Sequence, residues 1–266
     1  MTTTFDSRSA RVSLTTGSVV WVCLASLVWA LMEVIVQHIP SEYPIYQIVW
    51  VRYGVHLVFM LAVFGRAQGK ALFSTTRLGL QVLRALMMLI MPISFIIATN
   101  YMSVSTIVSI FWLAPLMIVG FSRVLLGENV SWASWIASIA GLVIVVILFN
   151  PSRNLSGTGV LLSLAAALSF SLYIVMTKML QAESIFTNLF YTALGVFIPL
   201  SLGLSSFWQP LTLRAAFMMS SLGLLGFLLL WMLDKALDVA SPSALAPFLF
   251  TQAFFMIVLE SLVRTF

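Results

Sequence analysis

The sequence predicts an all-α integral membrane protein with nine membrane-crossing helices, arranged as an inverted repeat of two five-helix halves from which the tenth helix is missing. Three observations predict it. Of 266 residues, 61% are hydrophobic and only 8% charged, whereas a soluble domain carries about a quarter charged residues. Nine apolar runs of about 18–23 residues each match the length that crosses a hydrocarbon core of roughly 30 Å at 1.5 Å per residue. Asn150-Pro151 and the Ser/Gly-rich segment up to Gly159 break the chain after the fifth run.

In chain order, residues 1–17 are polar, carry Arg8 and Arg11, and are expected to form a short cytoplasmic tail. Helix 1 is placed at 18–38 and helix 2 at 44–64, joined by the short turn Ser41-Glu42-Tyr43-Pro44. A basic connection over 65–78 leads into helix 3 at 79–99, followed by helix 4 at 104–126. The turn Gly127-Glu128-Asn129 precedes Ser131, a good N-cap for helix 5 at 132–149. Helices 6 to 9 are placed at 159–179, 185–205, 214–233 and 242–262. The domain reading is therefore a tail (1–17), a first half (18–150) and an incomplete second half (157–266).

Charge sets the expected topology. With the amino terminus inside, the inner segments hold Arg8, Arg11, Arg66, Lys70, Arg77, Arg123, Lys178 and Lys235, and the outer ones only Arg153, Arg214 and Arg264. The net charge of +5 is scattered between apolar runs and forms no stripe, so it reads as positive-inside topology and not as a nucleic-acid surface. The single cysteine, Cys23, lies within helix 1; the sequence offers no internal disulfide, no Cys/His metal cluster and no cleavable signal peptide. No cofactor is implied.

Two segments resemble one another: APLMIVGFSRVLLGE from Ala114, and APFLFTQAFFMIVLE from Ala246, each preceded by a run of small residues. Five spans in the first half force the second to enter with opposite polarity, an arrangement common among secondary transporters. At this point a family resemblance is carried by residues spread over nearly the whole chain. They are Trp29-Ala30, Val51-Arg52-Tyr53, Arg84, the string from Ala98 through Pro115 to Glu128, Trp135-Ile136, Gly141-Leu142-Val143, Gly159 to Tyr173, and Ala244 to Phe248 with Gln252. The chain resembles an EamA-type member of the drug/metabolite transporter superfamily. The resemblance implies ten helices in two inverted halves around a central pathway; the second Gly-Glu turn and the tenth helix are absent here, which reads as truncation rather than a natural nine-helix variant.

Ionisable groups inside a membrane are functional candidates by default. Glu33 lies about 22 Å up helix 1 and Arg52 roughly 18 Å from the same face on helix 2, a depth at which they could pair. The pair reads either as a lock between helices 1 and 2 or as a cavity site, with Glu33 carrying a proton or cationic solute and Arg52 tuning it. His56 sits one turn from Arg52, as a packing residue or a proton carrier. Arg84 reads either as an anion site or as a side chain snorkelling to inner headgroups. Trp29, Trp112, Tyr173 and Trp231 lie on helices that the resemblance places around the pathway, where they would stack on flat solutes or cations, or simply pack. Gln252 needs a partner as ligand contact or packing glue. Glu128 is expected to cap helix 5 and hold its turn. Pro92, Pro115, Pro199 and Pro247 are expected to interrupt their helices.

These features favour a secondary transporter moving a small organic metabolite by alternating access, proton-coupled or by exchange, since no P-loop is present. The resemblance favours export from a bacterial inner membrane; uptake of a vitamin or cofactor-like solute such as riboflavin is the alternative. A lipid-modifying membrane enzyme would need convergent nucleophiles, acids or metal ligands, which the sequence does not offer; a lipid-scrambling bundle stays open, as does a homodimer. The expected partners are a small-molecule substrate and the lipid bilayer.

Overall fold

The computed structural model describes residues 14–265; the tail expected over residues 1–17 lies, up to residue 13, outside the described residues, as does the side chain of Arg264. The described chain folds into α1 (Thr16–Gln37), α2 (Ile45–Gln68), α3 (Leu78–Ala98), α4 (Val104–Phe111), α5 (Ala114–Leu125), α6 (Trp132–Phe149), α7 (Gly157–Met179), α8 (Ile185–Leu202), the short α9 (Leu204–Phe207), α10 (Leu213–Val239), α11 (Pro242–Leu245) and α12 (Thr251–Thr265). A 3₁₀ turn, Gly69–Phe73, extends α2, and another, Ala246–Phe250, joins α11 to α12. Among the described residues these make nine segments long and apolar enough to span a membrane, α4–α5 forming the fourth and α11–α12 the ninth. We call the face on which α1 begins the near face and the other the far face.

Local chemistry explains the boundaries. Thr15 and Ser18 cap α1 reciprocally, and the Ser131 hydroxyl accepts from the Ser134 N–H at 3.1 Å to open α6, as the sequence predicts. Thr212 and Ser241 cap α10 and α11 in the same way. Asn150, in the left-handed region at φ 43°, ends α6. The prolines divide into two classes. Pro92 and Pro199 sit inside unbroken α3 and α8. Pro115 and Pro247 sit in the first turn of a new segment, where the missing N–H is no loss. The fourth and ninth spans, placed by sequence at 104–126 and 242–262, are thus discontinuous at the two matching Ala-Pro steps, as the interruptions expected at Pro115 and Pro247 imply, whereas those expected at Pro92 and Pro199 do not break α3 or α8. Helix 8 also differs: α10 continues to Val239, past the end expected at 233, because Lys235 and Asp238 stay on a helical path with Ala236 and Leu237 buried. The expected seventh helix over 185–205 ends at Leu202.

The packing repeats in order. α1 packs on α10 as α7 packs on α3; α2 on α10 as α8 on α3; α1 on α12 as α7 on α5; and α2 packs on α8. Each partnership in the first four spans recurs five spans later, which is what an inverted repeat requires. Small residues bring two of these seams close. A Cβ at Gly223 of α10 would lie 2.6 Å from Val55 Cβ and 2.8 Å from the Arg52 carbonyl oxygen of α2. A Cβ at Gly195 of α8 would lie within clash distance of Ala85 Cβ on α3. Because the Gly223 contact includes backbone, Gly223→Ala cannot be absorbed by a rotamer change. We expect it to lower stability by about 1–3 kcal/mol, read as a reduced thermal midpoint of the detergent-purified protein.

Candidate functional site

Between the two sets of spans, around mid-depth, lies a pocket with about 470 Å³ of empty space, its open mouth included. α1 contributes Trp29, Met32 and Glu33, α2 contributes Arg52, α3 Met88 and Met91, α7 Phe170, and α10 the leucines 229, 230 and 233. With Val36 of α1, the wall is aliphatic, thioether and aromatic, with one carboxylate and one guanidinium.

Each charge is held by its own neighbours. The Trp29 indole N–H donates to Glu33 Oε1 at 3.1 Å, one helical turn apart. Trp29 in turn packs on Phe170 with ring centroids 5.2 Å apart, and on Phe111 and Trp112 at 6.1 and 6.2 Å. The Arg52 guanidinium lies 5.2 Å from the Tyr53 ring centre, and a Cβ at Gly226 would approach its Nε to 2.7 Å. The direct Glu33–Arg52 contact that their depth allowed is not formed: the two groups make no ion pair within 4.0 Å, whereas Arg84 and Asp234 meet at that distance. The reason is lateral. Gly226 admits Arg52 alongside α10, and the Trp29 bond turns Glu33 along its own helix, so both charges face the pocket from separate walls.

Below the pocket, toward the near face, is a second polar cluster. Arg84 of α3 is fully buried, and its guanidinium donates to Thr177 Oγ1 (2.9 Å), the Asn188 carbonyl oxygen (2.7 Å) and Thr192 Oγ1 (2.6 Å). It stacks over Tyr173 at 4.9 Å and stands 4.0 Å from Asp234. Gln81, one turn earlier, donates to the Asn188 side chain at 2.6 Å. Arg84 thus ties α3 to α7, α8 and α10. The side chain points inward to acceptors on α7 and α8, and not out to the headgroups as snorkelling would require.

Of the sequence-derived candidates, Trp29, Glu33 and Arg52 line the pocket, and the other six stand behind it or elsewhere. Trp112 forms its second layer, between Trp29 and Phe250. Tyr173 is buried under Arg84. His56 is buried between Tyr53 and Phe227, as a packing side chain. Trp231 faces away, edge-on to Trp21 at 5.3 Å. Gln252 is buried at the start of α12. Sequence reasoning missed Asp234, because the helix was expected to end one residue before it and its charge read as a loop. It also missed Thr177, Asn188 and Thr192, for which the polar positions in otherwise apolar runs were the available signal.

At the near face Glu128 does not cap α6, since Ser131 does. Its Oε2 accepts from the Ser243 hydroxyl at 2.6 Å, pinning the turn after α5 to the start of α11. Lys178 donates to the Leu237 carbonyl at 2.6 Å, closing the same end. Burial raises the Glu128 carboxyl above its ordinary value of 4.5, a shift opposed by the Ser243 bond and by Lys178. A raised carboxyl favours the protonated folded form, so its contribution to stability is present below pH 4.5 and is lost as pH rises through the raised value. Glu128→Gln does not titrate. We expect the thermal midpoint of the native protein, measured against that variant, to fall as pH rises from 4.5 through that window; a relative rise would contradict the assignment.

Comparison with known proteins agrees with this architecture. The profile of the EamA-like transporter family matches residues 16–150. The S-adenosylmethionine uptake transporter of Rickettsia bellii is 25% identical over 229 residues, covering 86% of this chain and 78% of that protein. The protein of the same name from Rickettsia prowazekii is 23% identical over 234 residues, covering 87% and 79%. A solved crystal structure superposes with a TM-score of 0.81 at 16% identity, over 94% of this chain and 89% of the other, and shows the shared fold. The family and both relatives are named as transporters. The chain, a multi-pass membrane protein built to move a small metabolite, belongs to the EamA-like transporter family.

Proposed function

We propose that this protein imports S-adenosylmethionine, or a solute that shares its sulfonium cation, amino-acid head and adenine ring, by alternating access around the Trp29–Glu33–Arg52 pocket. The observation that carries this reading is one carboxylate and one guanidinium on separate walls of an aromatic, thioether-lined pocket. Glu33 with the faces of Trp29 and Phe170 suits sulfonium and ammonium charge. Arg52 suits a carboxylate, and the flat purine stacks among the aromatics. A neutral flavin would leave both charges unpaired, which disfavours the riboflavin-like alternative. Uptake, the activity in the relatives' names, replaces the export favoured by resemblance alone.

The near-face positions Arg66, Lys70, Arg77, Arg123, Lys178 and Lys235, against Arg153 and Arg214 on the far face, support a cytoplasmic amino terminus in a bacterial inner membrane. The Glu33 and Arg52 end of the pocket then faces the outer side, with the Arg84 cluster and the Glu128–Ser243 tether on the inner side. Reconstituted protein should exchange labelled for unlabelled S-adenosylmethionine across sealed liposomes. Absence of exchange, or chemical turnover of an added lipid with no vesicle barrier, would overturn this function.

A further inference from the structure

The Arg84 cluster holds an anomaly that a purely structural lock does not explain. Asp234 is buried, yet neither of its carboxylate oxygens accepts a hydrogen bond from any protein group. Its nearest cation stands at 4.0 Å and directs its terminal N–H groups to Thr177, Asn188 and Thr192, while its Nε has no acceptor. An ionised carboxylate left without a donor in a membrane interior is strongly disfavoured, and a proton removes the charge.

We propose that Asp234 is the proton-binding site of the transport cycle. In the conformation described here it is protonated and neutral, and the Arg84 charge is shared among three oxygen acceptors. When the halves move apart, the Oδ–H proton passes to water on the face then open, the carboxylate that remains draws the Arg84 guanidinium onto itself, and the bonds to Thr177, Asn188 and Thr192 are released.

Placement ties this step to the pocket. Leu230 and Leu233, one turn and one residue before Asp234, line the pocket floor, and so does Met88, one turn after Arg84. A solute pressing on that floor and a proton on Asp234 therefore act on the same two helices, α3 and α10. The groups facing Asp234 allow this assignment. α3 presents Arg84, α7 presents Tyr173 and, nearer the near face, Lys178. α2 presents Tyr53 and His56, the latter packed on Phe227 of α10. α8 offers only the uncharged Asn188 and Thr192. α1 has Glu33 as its one charged residue, within the pocket, and α11 has none. On α10 itself, Lys235 and Asp238 lie toward the near face. Arg84 is the one cation placed to meet the carboxylate.

The proposal rests on the reading of the pocket as a solute site, and two measurements keep their failures apart. The first needs no solute. In lipid, infrared titration should find the carbonyl stretch of a protonated carboxyl that survives Glu33→Gln and vanishes in Asp234→Asn; its absence, or survival in Asp234→Asn, overturns the proposal. The second uses proteoliposomes with an imposed pH gradient and labelled S-adenosylmethionine. Asp234→Asn should lose gradient-driven accumulation by at least tenfold yet keep solute-for-solute exchange, and Asp234→Glu should recover accumulation. Gradient-driven accumulation by Asp234→Asn at the native level, or loss of exchange in both variants, overturns the proposal. If the native protein does not exchange S-adenosylmethionine, the substrate reading fails, and the infrared result alone decides for or against the proton site.

Discussion

Glu33→Gln is expected to weaken binding of S-adenosylmethionine by more than about tenfold while leaving the fold intact. Glutamine is close in shape and keeps an oxygen to accept from the Trp29 indole, so the 3.1 Å bond that orients the side chain survives. What disappears is the negative charge. Removing one partner of a desolvated charge pair costs about 2–5 kcal/mol, and each 1.4 kcal/mol is a factor of ten. The half-buried position of Glu33 argues for the lower part of that range. Concentration-dependent exchange in proteoliposomes reads the affinity, and an unchanged thermal midpoint shows that folding was spared. Near-native affinity in a well-folded variant would remove Glu33 from the site, and with it the argument that the solute is a cation.

The largest loss of stability is expected from Arg84→Ala. Among the described residues Arg84 is the largest fully buried side chain, and its charged hydrogen bonds join α3 to α7 and α8. Its loss leaves the Asn188 carbonyl, Thr177 and Thr192 without their donor, opens a large void, and removes the cation from Tyr173. Breaking such a buried charged network costs about 3–5 kcal/mol, enough to abolish recovery of folded protein from a marginal bundle. Arg84→Lys keeps the charge but replaces a planar fork by one ammonium, which cannot reach acceptors on α7 and α8 in the same geometry; an intermediate thermal midpoint is expected. If Arg84→Ala melted like the native protein, the cluster would be incidental to the fold.

The two arginines show where sequence reading succeeds and where it stops. Span count and cap positions were legible because they depend on local composition: eighteen or more apolar residues, a serine before a tryptophan, an asparagine before a proline. That Arg52 and Glu33 share a depth also followed from counting along two antiparallel helices. Their failure to touch did not, because it depends on Gly226, 174 positions away in sequence, which makes room for Arg52 on another helix. Arg84 was recognised as unusual but not placed. Its three acceptors lie on helices of the other half, each an unremarkable threonine or asparagine until the repeat brings α3 against α7 and α8. Asp234 was lost for a simpler reason, an assumed helix end. The discontinuities at Ala114-Pro115 and Ala246-Pro247 fell between these cases: both motifs were noticed as similar and both prolines as interruptions, but a pattern of residues does not say whether a proline kinks a helix or begins one.

The close seams at Gly223 and Gly195 carry a mechanical consequence. Each joins a helix of one half to a helix of the other at nearly backbone contact, and the repeat relates the helix pairs to one another. Sliding at either seam would drive a side chain or carbonyl into the opposing helix, so translation is blocked at both. Two points that cannot slide define a line, and two bodies held along a line retain one easy freedom, rotation about it. In the proposed transport cycle the seams would serve as the bearings of an axle, with α2 and α10 at one and α3 and α8 at the other. In the proposed alternating-access cycle, a turn about that line would open the pocket as it shuts the near face, with no separate gate at either.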